Sequence, residues 1–228
     1  VDGTIIAWGL LNKQLGEQFN INRVPALLVD MHSKEEDFGC LPFIHHLAYD
    51  ENTGQEELLK HLIELGHERI AYVIDGPCAD VMRAFEKAAA VYDFDFSEDD
   101  VFQFRALGEK QVCYLEKLMH FYKKTAATWD QLKSYTAIVC ADPLGVLGVM
   151  EFMKSKGLTV GKDVSVAGYG NCPMLGPKVT CVDKTLEETG KKAVRILLDA
   201  IANPDAPVAR VKMQTRLFIG ETTGAAPA

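Results

Sequence analysis

Positive charge is in short supply: 24 lysines and arginines stand against 32 aspartates and glutamates, a formal net charge of −8. Such a chain offers duplex DNA no general electrostatic attraction. No apolar run approaches the roughly 18 residues of a membrane span, and the start Val1-Asp2-Gly3 has no signal-peptide pattern. The six cysteines (Cys40, Cys78, Cys113, Cys140, Cys172 and Cys181) contain no CxxC and no zinc spacing. They read as free thiols acting as small buried hydrophobes in a reducing cytoplasm. His45 and His46 are adjacent on a strand and point to opposite faces, so they cannot chelate one ion together without a bend. A Gly-rich phosphate loop and a nucleophile elbow are both missing, and Asp75-Gly76-Pro77 is a turn. These absences argue against an enzyme, a cofactor, a metal or a membrane partner.

What remains is a chain that is 48% hydrophobic, enough for a real core. Its 228 residues suit one large domain or two of about 100–150 residues. The stretch 137–170 is the most legible. Residues 137–141 form an apolar run without alternation, as in a parallel strand covered on both faces. Asp142-Pro143 pairs an N-cap carboxylate with a proline at the first helical position. Leu147, Met150 and Met153 line one helical face, Gly157 stops the helix, and 164–168 is the next strand. This βαβ unit leaves Asp142 just past a strand's carboxyl end, where open α/β sheets place ligands.

The same logic along the chain predicts strands at 4–8, 26–30, 43–49, 69–74, 101–104, 180–182 and 210–219. Helices are predicted at 12–19, 55–65, 80–92, 109–122 and 186–201. Residues 123–134 read as irregular with one extra helical turn near Trp129, and 222–228 as a disordered tail. Strand-helix alternation of this kind argues for parallel sheets with right-handed crossovers.

Six segments resemble, in order, the effector-binding domain of lactose-repressor (LacI/GalR) type transcription regulators. Val1-Asp2-Gly3-Thr4-Ile5-Ile6 is similar to the family's VDGIII strand, and VPALLVD at 24–30 to its IPVVLVD strand. LIELGHERIA at 62–71 resembles HLIELGHRRIA, and RAFEKAA at 83–89 resembles a GFxxAL helix with Ala84 at the glycine. DVSVAGYGN at 163–171 matches DVSVVGFDD, and RLFIGETTG at 216–224 matches LVIRESTG.

That resemblance implies two doubly wound, periplasmic-binding-protein-like subdomains with a ligand cleft between them. Their expected bounds are 1–49 plus 184–203 and 50–183 plus 204–221, with chain crossings near 49–50, 182–184 and 203–208. It further implies that a helix-turn-helix head, a hinge helix and the first strands of the N-terminal subdomain lie outside this sequence, which would leave a sheet edge uncovered. The partners implied are a small-molecule effector, DNA through the head, and a second copy of the chain. The helix from Pro143 through Val146, Met150 and Lys154 would lie at the dimer interface.

The family's ligand-contacting positions fall on Asp30, on the aromatic Tyr49, and on Val81, where relatives carry an arginine. Arg83 lies two residues later and about 200° around the helix. Asp142 takes the place of an asparagine, while Gly170 and Asn171 take the places of the two aspartates in GFDD. Without the clamp arginine and the first GFDD aspartate, the ordinary sugar site is altered. The remaining Asp30, Asp142 and Tyr49 then favour a cationic or more apolar ligand, with Asp30 and Asp142 facing one another. Each residue also has a structural alternative. Asp142 can be only an N-cap, Tyr49 core filling, Arg83 a solvated helix residue and Asp30 a strand end, and the cleft can be degenerate. The leading function is the effector-sensing and dimerisation core of a regulator. The alternative is the substrate-binding protein of a transporter, which shares the fold.

Overall fold

A computed structural model of the protein describes residues 2–7, 13–29, 43–75, 79–104, 114–170 and 178–227. Within these the chain divides into two compact units, one built from Val1–Asp50 and Lys184–Thr215, the other from Glu51–Asp183 and Arg216–Ala228.

The first unit holds a four-stranded sheet in which every pairing is parallel. Its strands are β1 (Thr4–Ala7), β2 (Ala26–Val29), β3 (Ile44–Asp50) and β9 (Arg210–Gln214), in the order β1-β2-β3-β9. Side-chain alternation splits its core in two. Ala26, Leu28 and Ile44 pack with Ile6 and with Phe19 of helix α1 (Lys13–Ile21). On the other face, Leu27 and Leu47 meet Ala193 and Ile196 of the helix Leu186–Ala202. β1 is an outer strand of this sheet.

The second unit is a six-stranded sheet in the order β10-β8-β7-β6-β4-β5, parallel except for the β10–β8 pair. The strands are β4 (Ile70–Ile74), β5 (Val101–Gln103), β6 (Ala137–Cys140), β7 (Ser165–Tyr169), β8 (Thr180–Asp183) and β10 (Arg216–Phe218). Ile70, Tyr72, Ile74, Ala137 and Val139 turn to one face. There they meet α2 (Glu51–Glu64) through Leu58, Leu59 and Leu62, and α3 (Ala79–Val91) through Val81 and Phe85. Ala71, Val73, Ile138, Cys140 and Val166 turn to the other. They are covered by α4 (Tyr114–Ala127), the short α5 (Trp129–Leu132) and α6 (Pro143–Ser155). α7 is the Leu186–Ala202 helix of the first unit. Helices on both faces of mostly parallel sheets are the doubly wound α/β class expected from the sequence.

Four features differ from the sequence expectation. The closing strand 210–219 is two strands in different sheets: β9 runs parallel to β3, and β10 antiparallel to β8. The chain passes from one unit to the other at Thr215–Arg216 rather than near 203–208. Thr215 is buried at this point, and its Oγ1 donates to the Asp50 carbonyl at 2.8 Å. Extended backbone continues through the crossing without glycine or proline, so the alternating pattern carries no mark of it. Residues 123–134 are also more helical than expected, since α4 continues to Ala127 and α5 follows after one residue.

Within the tail expected to be disordered, residues 222–226 are tied down by hydrogen bonds. The Thr222 carbonyl accepts from Val166 N–H at 2.8 Å, and Ala226 N–H donates to the Leu65 carbonyl at 2.8 Å. Thr180 N–H donates to Thr222 Oγ1 at 2.9 Å. A Cβ on Gly224 would stand 2.1 Å from the Gly161 carbonyl oxygen, so the close approach of these two segments requires a glycine there. Small and hydroxylated residues look featureless in sequence, yet their hydroxyls and bare backbone are what lets this strap lie against the sheet.

His67 fastens the strap from beneath. It is 2% exposed, with Nε2 3.1 Å from the Gly224 carbonyl and 2.9 Å from Ser165 Oγ, and Nδ1 2.9 Å from Thr136 Oγ1. A carbonyl can only accept, so Nε2 carries the proton and Nδ1 of the neutral ring accepts from Thr136. Burial lowers the His67 pKa, which favours this neutral form.

Candidate functional site

The parallel strands of the second unit end their carboxyl edge in a cluster of charge. Val73 pairs with Cys140 across β4 and β6, so Asp75 and Asp142 each stand two residues past a matched position. Lys117 of α4 reaches between them: its Nζ lies 2.8 Å from Asp142 Oδ2 and 3.3 Å from Asp75 Oδ2. Asp142 also N-caps α6, its Oδ1 accepting from Leu144 N–H at 2.7 Å. The Asp75 side chain is 3% exposed, while those of Lys117 and Asp142 keep 29% and 25%. Burial alone would lower the Lys117 pKa, but the hydrogen bond and charge of Asp142, then of Asp75, outweigh it and hold the ammonium above its ordinary value.

Further along the same edge, the Tyr169 hydroxyl donates to Glu51 at the start of α2. Gly170 follows with φ +79°, its N–H donating to the Val182 carbonyl at 2.9 Å. Asp183 ends β8 with Arg216 Nη2 3.4 Å away. The edge therefore carries several carboxylates, each held by a cation, a hydroxyl or a helix N-terminus. Among the described residues no group of three or more histidines, cysteines or carboxylates is arranged to hold a metal. A separate depression of about 380 Å³, lined by Leu65, Arg69, Thr136 and Ala226 among others, opens near the amino-terminal starts of β4 and β6.

Several expected site residues take other positions. Val81 is 2% exposed within the α2–α3 core, so its side chain is not offered to a ligand. Arg83 points outward on the exposed surface of α3 and pairs with Asp80 one turn back. Tyr49 is 7% exposed on β3 of the first unit, with the Lys184 ammonium 5.1 Å from its ring centroid. Gly170 offers only backbone. Asp30 and Asn171 lie outside the described residues, as do Cys40, Cys78, Cys113 and Cys172. Cys140 and Cys181 are free and buried. Burial, with Asp183 nearby, pushes the Cys181 thiol up to about 11.

On the expected interface helix, Val146 is fully buried, its methyl filling the space above Gly168. Pro143 and Met150 are half-buried, and Lys154 is exposed. The reason is that α6 packs on α4. A Cβ on Gly148 would stand 2.5 Å from Phe121 Cβ, so these two helices meet at the closest spacing a glycine permits.

Sequence reasoning missed Lys117 and undervalued Asp75. Lys117 sits on a helix whose approach, 105–113, carries no motif. Asp75, however, stands where Asp142 stands, just past an apolar strand, and the adjacency of those two strands could have joined them. With Lys117 between the carboxylates, the premise of an unbalanced acidic site at Asp142 is removed.

Comparison with known proteins places this architecture. A family model described as a periplasmic binding protein-like domain matches residues 59–223. The transcriptional regulator MalR of Streptomyces coelicolor is 29% identical over 216 residues, covering 92% of this chain and 59% of its own. The transcriptional regulator reg1 of Streptomyces lividans is 30% identical over 209 residues, covering 90% and 57%. The chain thus spans a little under three-fifths of the curated relatives it matches. A crystal structure of a LacI family transcriptional regulator from Enterococcus faecium with bound ribose superposes with TM-score 0.81 at 22% identity, over 100% of this chain and 81% of that one. The chain belongs to the periplasmic binding protein-like domain family, with the fold that LacI family regulators carry.

Proposed function

We propose that this chain is the effector-sensing core of a transcription regulator. It binds a small molecule, and the resulting change in the chain alters how a helix-turn-helix head of the whole protein holds DNA. The observation that carries the reading is the continuous match to proteins named as helix-turn-helix transcriptional regulators, over 90% or more of this chain. The fold supports it: two doubly wound units joined by three chain crossings give a molecule whose units can respond to a ligand. The net charge of −8 supports assigning DNA contact to the head. Relatives of this kind favour a regulator over the binding protein of a transporter. Self-association belongs to the same proposal. On α6 it would use the exposed Lys154 and the rims of Pro143 and Met150, since Val146 is committed to the core.

Titration calorimetry of the chain against neutral sugars, nucleobases and diamines tests the reading. One class should bind with a single-site isotherm, and the same chain should show no sequence-specific shift of duplex DNA in a gel. Silence across every small-molecule class, or a sequence-specific DNA complex of the chain alone, would overturn it.

A further inference from the structure

We infer that the amino-terminal edge of the second unit's sheet docks a second copy of this chain by complementary charge. Parallel strands all begin on one edge, so each covering helix returns the chain there before the next strand starts. α2 and α3, on one face of the sheet, end at Glu64 and Val91. α4, α5 and α6, on the other face, end at Ala127, Leu132 and Ser155. The segments at these ends carry opposite signs on the two sides. By α4, α5 and α6, residues 123–134 and 154–163 hold Lys123, Lys124, Lys133, Lys154, Lys156 and Lys162 against Asp130 and Asp163. After α3, residues 91–100 hold Asp93, Asp95, Glu98, Asp99 and Asp100 and no lysine or arginine. Apart from Asp100, which is half-buried, all of these charged residues are exposed.

Helix energetics explain only one of the two sides. Lysines in the last turns of α4 and α6 complement the negative pole of each helix. The same rule asks for cations at the end of α3, whose last turn has none and whose following segment carries carboxylates instead. Those carboxylates also repel one another. Cations laid over them relieve both costs. The seam between the two sides runs past Tyr135, whose hydroxyl donates to Asp100 at 2.9 Å and whose ring centroid is 4.7 Å from the Arg69 guanidinium. A two-fold axis through that seam sets the lysine side of each copy on the carboxylate side of the other, the self-complementary arrangement an isologous contact needs. Val91, 68% exposed beside the carboxylates, and the depression lined by Leu65, Thr136 and Ala226 supply apolar surface for such a contact to cover. A nucleic acid or a uniformly acidic protein would meet the lysines and be repelled by the carboxylates. A partner divided in the same way satisfies both sides, and this chain is such a partner. The contact is additional to the one proposed on α6 and does not depend on the effector-sensing reading.

Sedimentation velocity of the 228-residue chain in about 50 mM and about 500 mM sodium chloride tests this. Self-association should be at least tenfold weaker in the higher salt. Two double variants each reverse one side: Lys133→Glu with Lys156→Glu, and Glu98→Lys with Asp99→Lys. Either alone should associate at least tenfold more weakly than wild type in low salt. An equimolar mixture of the two should recover wild-type strength, in a complex holding one copy of each. A contact through α6 adds equally to every sample and leaves these differences standing. Absence of association in low salt, or association that ignores salt, overturns the inference. So do variants that associate as wild type does, or a mixture that stays apart. Circular dichroism checks that the variants fold, and the salt response of the wild-type chain decides the matter if they do not.

Discussion

Replacing Gly148 by alanine tests the packing that shapes the candidate site, because α4 carries Lys117 and α6 carries the Asp142 cap. In an exposed helix this change is favourable by about 1 kcal/mol, since alanine restricts the unfolded backbone and supports the helix. Here the new Cβ would stand 2.5 Å from Phe121 Cβ, 2.9 Å from the Leu118 carbonyl oxygen and 3.0 Å from Tyr122 N. Ordinary carbon contacts are about 3.5–4.0 Å. Two of the three obstacles are backbone, so no rotamer change relieves them and α4 must move away bodily. Overpacking of this kind costs typically about 1–3 kcal/mol, and rigid backbone obstacles place this case at the upper end. Subtracting the propensity gain leaves a net loss of about 2 kcal/mol, or a fall of roughly 4–8 °C in Tm for a chain of this size. Gly190 on α7 is the control: an added Cβ there meets nothing within 4 Å, so Gly190→Ala should gain up to about 1 kcal/mol. Urea titrations followed by circular dichroism read both variants. The fluorescence of Trp129, whose ring centroid is 5.5 Å from that of Phe152 on α6, reports the second unit. Equal stabilisation by the two alanines would refute the close helix contact.

Acidification should cost stability through histidine. His45, His61 and His67 all have pKa values lowered, with burial the largest cause. The unfolded chain then binds more protons than the folded one below about pH 6.5, so the urea midpoint should be flat above pH 7 and decline from there to pH 5.5. A rising midpoint over that interval would contradict it. At the strap, Thr222→Val removes the acceptor of the buried Thr180 N–H, and a loss of about 1–3 kcal/mol in urea unfolding is expected. No change would mean that the strap does not hold the sheet. Cys140 and Cys181 should resist thiol reagent at pH 8 until the chain unfolds, read by mass spectrometry of the labelled peptides, because both are buried with thiol pKa values pushed upward. Labelling of either in the native chain would show their strands to be open.

Much of the fold is written in local signals that reappear in the structure. The apolar runs of β4, β6 and β7, the Asp142-Pro143 cap and the βαβ alternation depend on neighbours in sequence, and they specify a doubly wound sheet directly. The strap and the crossing at Thr215 escaped because their order comes from distant partners: Val166, Thr180 and His67 for the strap, Asp50 for Thr215. A run such as ETTGAAPA has no periodicity to betray its docking. The site was legible in position more than in chemistry. Asp142 was recognised at a strand end, but its counter-charge sits 25 residues earlier on another helix, a relation that only packing creates. Val81 and Val146 show the reverse, since positions that the resemblance assigns to a ligand and to a partner are core once the helix faces are set by what they cover.

Under the proposed function, a bound small molecule changes this chain at the places where it passes between units. Hydrogen–deuterium exchange, with and without saturating ligand from the calorimetric panel, measures that directly. Exchange should change at Asp50–Glu51, Asp183–Lys184 and Thr215–Arg216 and around Lys117 and Asp142, with the β4 and β6 interiors unchanged. Ligand binding that leaves all three crossings at their unliganded exchange rates would contradict it.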